Sequence, residues 1–158
     1  MNIGYHLTQA AARWPGKTAV IFEGRRWTYA QFNRLANKAA NAFKAAGIGP
    51  GDRVAFLTWN LPEQVAGFYG LLKLGGVAVP VNYRLAANEL KFIIENSGAK
   101  IVVFDDELAD RVAILAPELA AKGLGLVHIG ERTPDFATHF DVFTAPAVET
   151  EPALGRPG

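Results

Sequence analysis

The side chains of this 158-residue chain that could do chemistry are few and scattered. Gly47-Ile48-Gly49-Pro50-Gly51 has the composition of a phosphate loop. Such a loop must leave a strand and open a helix so that the helix N-terminus faces the anion. This one leaves a helical pattern and opens a strand, which reads as a helix stop and a tight turn. Nucleophilic catalysis needs an activated Ser, Cys, Thr or Lys beside a base. The single serine, Ser97, stands beside Gly98 at a helix end, where serine commonly bonds the backbone, and there is no cysteine. His6, His128 and His139 lack a paired spacing such as HxxxH, so no metal site is expected. Asp105-Asp106-Glu107 could hold a cation, but three acids after a strand also suit a helix N-terminus through the macrodipole. The cap is the preferred reading, and no catalytic residue is assigned.

Two stretches are better placed. Trp59-Asn60-Leu61-Pro62 follows an apolar strand and precedes a buried helix, which in a parallel sheet is the carboxyl edge where ligands bind. Asn60 is also a good N-cap and Pro62 suits an early helical position, while Trp59 could simply pack locally. Trp59 and Asn60 are the candidate substrate-binding residues. Asn82-Tyr83-Arg84 leaves another strand for another helix. Arg84 offers a planar, permanently charged fork suited to phosphate; its alternative is a solvated surface arginine or a partner of Glu89.

The elements that must position these residues follow from apolar spacing. Leu61, Val65, Phe68 and Leu72 form a helical stripe; Gly75-Gly76 ends that helix, and Val77 to Val81 is a short apolar strand. A second helix turns Ala86, Leu90, Ile93 and Ile94 inward before the bare strand Ile101 to Phe104. Upstream come a short helix from about Gly4 to Arg13, closed before Pro15, and a hairpin of Thr18 to Phe22 and Arg25 to Thr28 turning at Glu23-Gly24. Thr28 and Gln31 have capping-box spacing and open a helix with Phe32, Leu35, Ala36, Ala39, Phe43 and Ala46 on its apolar face, and Val54 to Leu57 is a fully apolar strand. Downstream, Glu107 to Leu119 reads as a helix that Pro117 would end or kink, and Leu124 to Ile129 as a strand. From Gly130 onward no period persists. Bare strands alternating with helices predict an α/β fold with a mostly parallel, doubly wound sheet and helices on both faces. Residues 1–145 form one subdomain in this reading, and residues 146–158 a linker-like tail.

Composition excludes several classes. Sixteen Lys and Arg against fifteen Asp and Glu leave a formal charge of +1 without a basic block, so no footprint for nucleic acid appears. No apolar run reaches the roughly 18 residues of a membrane span. Without cysteines or a leader pattern, the default compartment is the cytoplasm.

The run GFYGLLKLGGVAVPVNYRLAANELKFIIENSGAKIVV, with KTAVIFEGRRWTYAQFNRLANKAANAF and GIGPGDRVAFLTWN before it, resembles the N-terminal part of acyl-CoA synthetases of the adenylate-forming (AMP-binding) superfamily, from about Tyr5 to Asp106. The resemblance implies a fatty or aromatic acyl-CoA ligase, which joins a carboxylic acid to AMP using ATP and Mg²⁺ and then transfers the acyl group to coenzyme A. It also implies that Arg84, by its place in VNYRLAANEL, lies beside the nucleotide phosphate of coenzyme A. The family's Ser/Thr/Gly-rich loop ending in lysine, its Tyr/Thr-Glu motif, its ribose-binding Asp and its C-terminal lysine have no match here. The chain therefore reads as an N-terminal piece of a ligase roughly three times longer, inactive by itself and binding no cofactor alone. Such a piece could carry part of the acyl pocket wall and a homodimer surface. An adenylation domain that loads a carrier protein, or a non-catalytic binding or oligomerisation module, are the alternatives.

Overall fold

The computed structural model describes residues 2–153. Helix α1 (Tyr5–Arg13) stops at Trp14, ahead of Pro15. Strands β1 (Thr18–Phe22) and β2 (Arg25–Thr28) form the expected antiparallel hairpin, with Glu23 and Gly24 both at positive φ, 47° and 78°. That pair of angles is the turn whose twist matches two paired strands. Helix α2 (Tyr29–Ala45) opens with a complete capping box: Gln31 N–H donates to Thr28 Oγ1 and Thr28 N–H to Gln31 Oε1.

The remaining strands, β3 (Arg53–Leu57), β4 (Val77–Pro80), β5 (Ala99–Asp105), β6 (Gly125–Ile129) and β7 (Thr138–His139), form one sheet in the order β4-β3-β5-β6-β7, and every pairing is parallel. Helices α3 (Pro62–Lys73), α4 (Ala87–Ser97), α5 (Ala109–Ala121) and α6 (Phe140–Thr144) connect or follow them. Alternate strand residues go to opposite cores, as the period of a strand requires. Ala55, Leu57, Val102, Phe104 and Leu126 meet Leu90, Ile94, Val112, Leu115 and Leu119 of α4 and α5. Val54, Phe56, Ile101, Val103 and Val127 meet Ala39, Ala40, Phe43, Leu71 and Phe140 of α2, α3 and α6. The doubly wound sheet predicted from bare strands is the sheet that forms, because both faces of its inner strands are covered.

Four local readings are corrected. On α3 the stripe Leu61, Val65, Phe68 and Leu72 is only half buried, while Ala66, Gly67, Gly70 and Leu71 face inward. A Cβ at Gly70 would lie 2.7 Å from Ala36 O and Ala40 N, so α2 and α3 touch backbone to backbone, and small residues mark their contact. Strand β4 is an edge, with Val77 45% exposed, so its apolar run does not mean burial on both sides. Helix α5 continues through Pro117 to Ala121. Beyond Gly130, β7 and α6 form although each is too short to show a period. The stretch expected to be linker-like runs along α2 as far as Ala153, through Asn41 Nδ2 to Val148 O and Thr150 O and Lys44 Nζ to Ala153 O. The rest of that tail, 154–158, lies outside the described residues.

Candidate functional site

The chain leaves β3 for β4 on one side and then returns past β3 to β5 on the other, so the strand order reverses between β3 and β5. In open parallel sheets the crevice at the carboxyl ends of such a pair is the place for a ligand. A cleft of about 520 Å³ opens there, walled by Trp59 and Leu61 after β3, Asp105 to Glu107 after β5, Ile129 to Glu131 after β6, and His139 and Phe140. The hairpin closes one side with Phe22, Glu23 and Arg25.

The two exits are tied together by Trp59 N–H, which donates to Asp105 Oδ2 at 2.6 Å. Asp105 is 4% exposed and its Oδ1 meets no donor in hydrogen-bonding geometry. Burial pushes its carboxyl above the ordinary carboxylate value, against the N–H groups of Trp59 and, more loosely, of Glu107 and Leu108. The acids after β5 therefore do more than open a helix: Asp105 makes no side-chain cap to the 3₁₀ turn Asp106–Leu108 and braces β3 instead.

Asp106 faces β6. Its Oδ2 accepts from Glu131 N–H at 2.9 Å, and its carboxylate lies so close to Gly130 that a Cβ there would be 2.3 Å away. His128, fully buried in β6, has Nε2 3.0 Å from Asp106 Oδ1, within ion-pair distance but outside hydrogen-bonding geometry. Its Nδ1 lies 3.3 Å from Thr133 Oγ1. Burial lowers its pKa, with Asp106 opposing, so the ring is held neutral. His139 Nδ1 accepts from Asp141 N–H, which leaves the proton on Nε2 to be donated to Gly130 O at 2.9 Å. The topology brings His128 and His139 to 6.4 Å between ring centroids, a proximity their sequence spacing conceals. Among the described residues no three His, Asp or Glu side chains are grouped to hold a metal.

Trp59, 46% exposed, stacks on Tyr83 with centroids 4.4 Å apart at 29°. Arg84 is exposed, its guanidinium 5.5 Å from the Tyr83 ring centroid. It makes no ion pair among the described residues, and Glu89 accepts from Ala86 N–H instead. Asn60 is exposed and is not the N-cap of α3; that position falls to Leu61, with Pro62 starting the helix. Ser97 donates to Ile94 O at 2.8 Å. Sequence reasoning missed Arg111, which reaches from α5 to donate to Tyr83 O and Leu85 O and so holds the loop that presents Arg84. Its only signal was a long cation on a helix packed beside that loop.

The cleft and the Trp59-Tyr83-Arg84 platform differ in sign. Glu23, Glu63, Glu107, Glu131 and Asp141 join Asp105 and Asp106 on the cleft wall, against Arg25 alone among lysines and arginines. An anion is repelled there unless a cation accompanies it, whereas Arg84, outside that wall, attracts one.

Fold and cleft together define a doubly wound α/β domain with an acidic cleft at the carboxyl edge of its sheet. The chain belongs to the AMP-binding enzyme family, whose model matches residues 7–150. It is 49% identical over 105 residues to the long-chain-fatty-acid–CoA ligase FadD13 of Mycobacterium tuberculosis, covering 65% of this chain and 21% of that one. It is 38% identical over 133 residues to the fatty acid–[acyl-carrier-protein] ligase ScoC of Streptomyces coeruleorubidus, covering 84% of this chain and 25% of that one. Among solved structures, the anthranilate CoA ligase AuaEII in complex with anthranoyl-AMP superposes with a TM-score of 0.89 at 28% identity, over 95% of this chain and 29% of that one. The chain thus spans about a fifth to a quarter of the length of these curated relatives.

Proposed function

We propose that this domain is the N-terminal part of an ATP-dependent acid–thiol ligase that makes an acyl-CoA from an aliphatic or aromatic carboxylic acid through an acyl-adenylate. The observation that carries the coenzyme A reading is Arg84, exposed beside the Trp59-Tyr83 stack with no carboxylate partner among the described residues. A guanidinium so placed suits the nucleotide phosphate of coenzyme A, and the acidic cleft next to it does not. Trp59 and Asn60, at the neighbouring exit, are assigned to substrate. ATP and Mg²⁺ are assigned to parts of the relatives that this chain does not span, since the described residues offer neither a phosphate-cradling loop after a strand nor a grouped metal-ligand set. By itself the domain would make no acyl-adenylate. Exposed Phe92 and Ile114, 67% and 70% accessible, support self-association, which light scattering at micromolar concentration checks.

The test is Arg84→Ala in a chain that includes the remainder of the ligase. Loss of one charge-assisted contact, about 1.5 to 3 kcal/mol, should raise the coenzyme A requirement roughly tenfold to a hundredfold with adenylation intact. The defect should shrink with dephospho-coenzyme A. Equal loss with both acceptors, or no loss, would sink the assignment.

A second reading, loading of a carrier protein, is favoured by the similarity to ScoC. Offering the same longer chain coenzyme A and a phosphopantetheinyl carrier protein separates the two by which acceptor is acylated.

A further inference from the structure

Lys73 is 2% exposed, at the end of α3, and its ammonium is the meeting point of four parts of the chain. Its Nζ lies 2.8 Å from Thr8 Oγ1 of α1, 2.7 Å from Asn33 Oδ1 and 2.7 Å from Asn37 Oδ1 of α2, and 2.8 Å from Glu151 Oε2. An ammonium has three protons, so this is an acceptor-rich cage saturated by one cation. The cage is cross-braced: Asn33 Nδ2 donates to Glu151 Oε1 at 2.8 Å, and Thr8 Oγ1 to the same carboxylate at 3.1 Å. Helix α1 closes over it so tightly that a Cβ at Gly4 would lie 2.5 Å from the Lys73 backbone nitrogen and 2.8 Å from its Cγ.

The segment that brings Glu151 is held otherwise by amides, by Lys44 Nζ donating to Ala153 O and by the exposed pair of Arg34 and Glu149. Asn37 Nδ2 donates to Glu149 O, and Asn41 Nδ2 to Val148 O and Thr150 O. Asn33, Asn37 and Asn41 recur at intervals of four, so α2 offers one row of amides along one face. Contacts between side-chain amides and backbone carbonyls do not distinguish one residue of the docked segment from the next. The segment could slide by two residues and meet the same row. The segment carries two carboxylates two positions apart: Glu151 meets buried Lys73 and Glu149 lies 3.7 Å from exposed Arg34, so a slide by two would bring Glu149 to Lys73 but leave Arg34 without its partner.

We propose that Lys73 is a positioning residue whose buried ammonium, closed by Glu151, ties residues 147–153 down along α2 and makes them dock and release as a unit. A buried charge with its partner removed is strongly unfavourable, so partly docked arrangements that leave Lys73 in the cage without Glu151 are disfavoured. This device holds residues 147–153 against α2, and it does not depend on which acyl acceptor the family member uses.

The chain has no cysteine, so Val148→Cys, at a side chain 60% exposed, gives one attachment point for a nitroxide. In the otherwise unchanged chain the label should give a single slow-motion spectrum. Glu151→Gln and Lys73→Met, each in that background, should add a fast component and lower the thermal midpoint. The pair Lys73→Met with Glu151→Leu should regain much of that midpoint, because the buried charge is gone, while the label stays mobile or splits into several environments. An unchanged spectrum in Glu151→Gln would overturn the proposal, and that variant decides the matter if Lys73→Met does not fold, since Glu151 is 40% exposed. Return of the slow single spectrum in the double variant would also overturn it, reducing the pair to a stabilising contact.

Discussion

Trp59 N–H and Asp105 Oδ2, 2.6 Å apart, join the carboxyl ends of β3 and β5 where the strand order reverses. One partner is a backbone group preceding α3 and the other a buried carboxylate ending β5, so the floor of the cleft depends on this bond. Because burial raises the Asp105 pKa, the folded state holds its proton more tightly than the unfolded chain does. That contribution is present at acid pH and is lost as pH rises above the ordinary carboxylate value.

Asp105→Asn should therefore keep the acceptor for Trp59 N–H and remove the burial of charge. Its thermal midpoint relative to the parent should be higher near pH 7 than near pH 3.5. Asp105→Leu instead strands the Trp59 N–H and should cost about 1 to 3 kcal/mol in urea unfolding. An Asn variant as unstable as the Leu variant would show that the carboxylate charge itself is needed.

His128 gives the opposite sign. Its pKa is lowered by burial, with Asp106 and Asp105 opposing and His139 adding to the shift, so the unfolded chain takes up a proton the fold resists. Stability from neutral His128 is complete above about pH 6.5 and falls as pH drops below it. Urea midpoints at about pH 7.5 and about pH 5.5 should differ in that direction, and the difference should diminish in His128→Phe, whose ring can pack against Phe104 as the imidazole does.

Gly70 sits where α3 meets α2, and a Cβ there would press on Ala36 O and Ala40 N. Gly70→Ala should lose stability by about 1 to 3 kcal/mol even though alanine is the better helix former by about 1 kcal/mol. Gly16→Ala, where a Cβ meets nothing within 4 Å, is the control and should be close to neutral in the same thermal unfolding assay.

Arg111 braces the loop under Arg84 through Tyr83 O and Leu85 O. Arg111→Ala should cost about 1.5 to 3 kcal/mol for hydrogen bonds from a charged donor. Faster amide exchange should appear at Arg84 and Leu85, whose N–H groups are held only within that loop. Unchanged exchange there would mean that the Trp59-Tyr83 stack alone holds the platform.

The sequence by itself determined the hairpin, the capping box of α2, helices α1 to α5 and the inner parallel strands. Those features rest on local rules: a turn at Glu23-Gly24, a Thr28–Gln31 reciprocity, and apolar residues at periods of two or of about 3.6. Asn60 as a cap and Leu61, Val65, Phe68 and Leu72 as the inner face of α3 were misjudged because polarity alone ranks residues by transfer, whereas α2 and α3 meet through glycine and alanine. Tertiary structure alone decided that β4 is an edge, that His128 and His139 share one end of the sheet, and that Arg111 supports Tyr83. It also decided that Lys73, between two leucines in the chain, is buried against Glu151, 78 positions away. Strand order and helix placement set those partnerships, and a charge's environment is a property of the groups the fold gathers around it rather than of its neighbours in the chain.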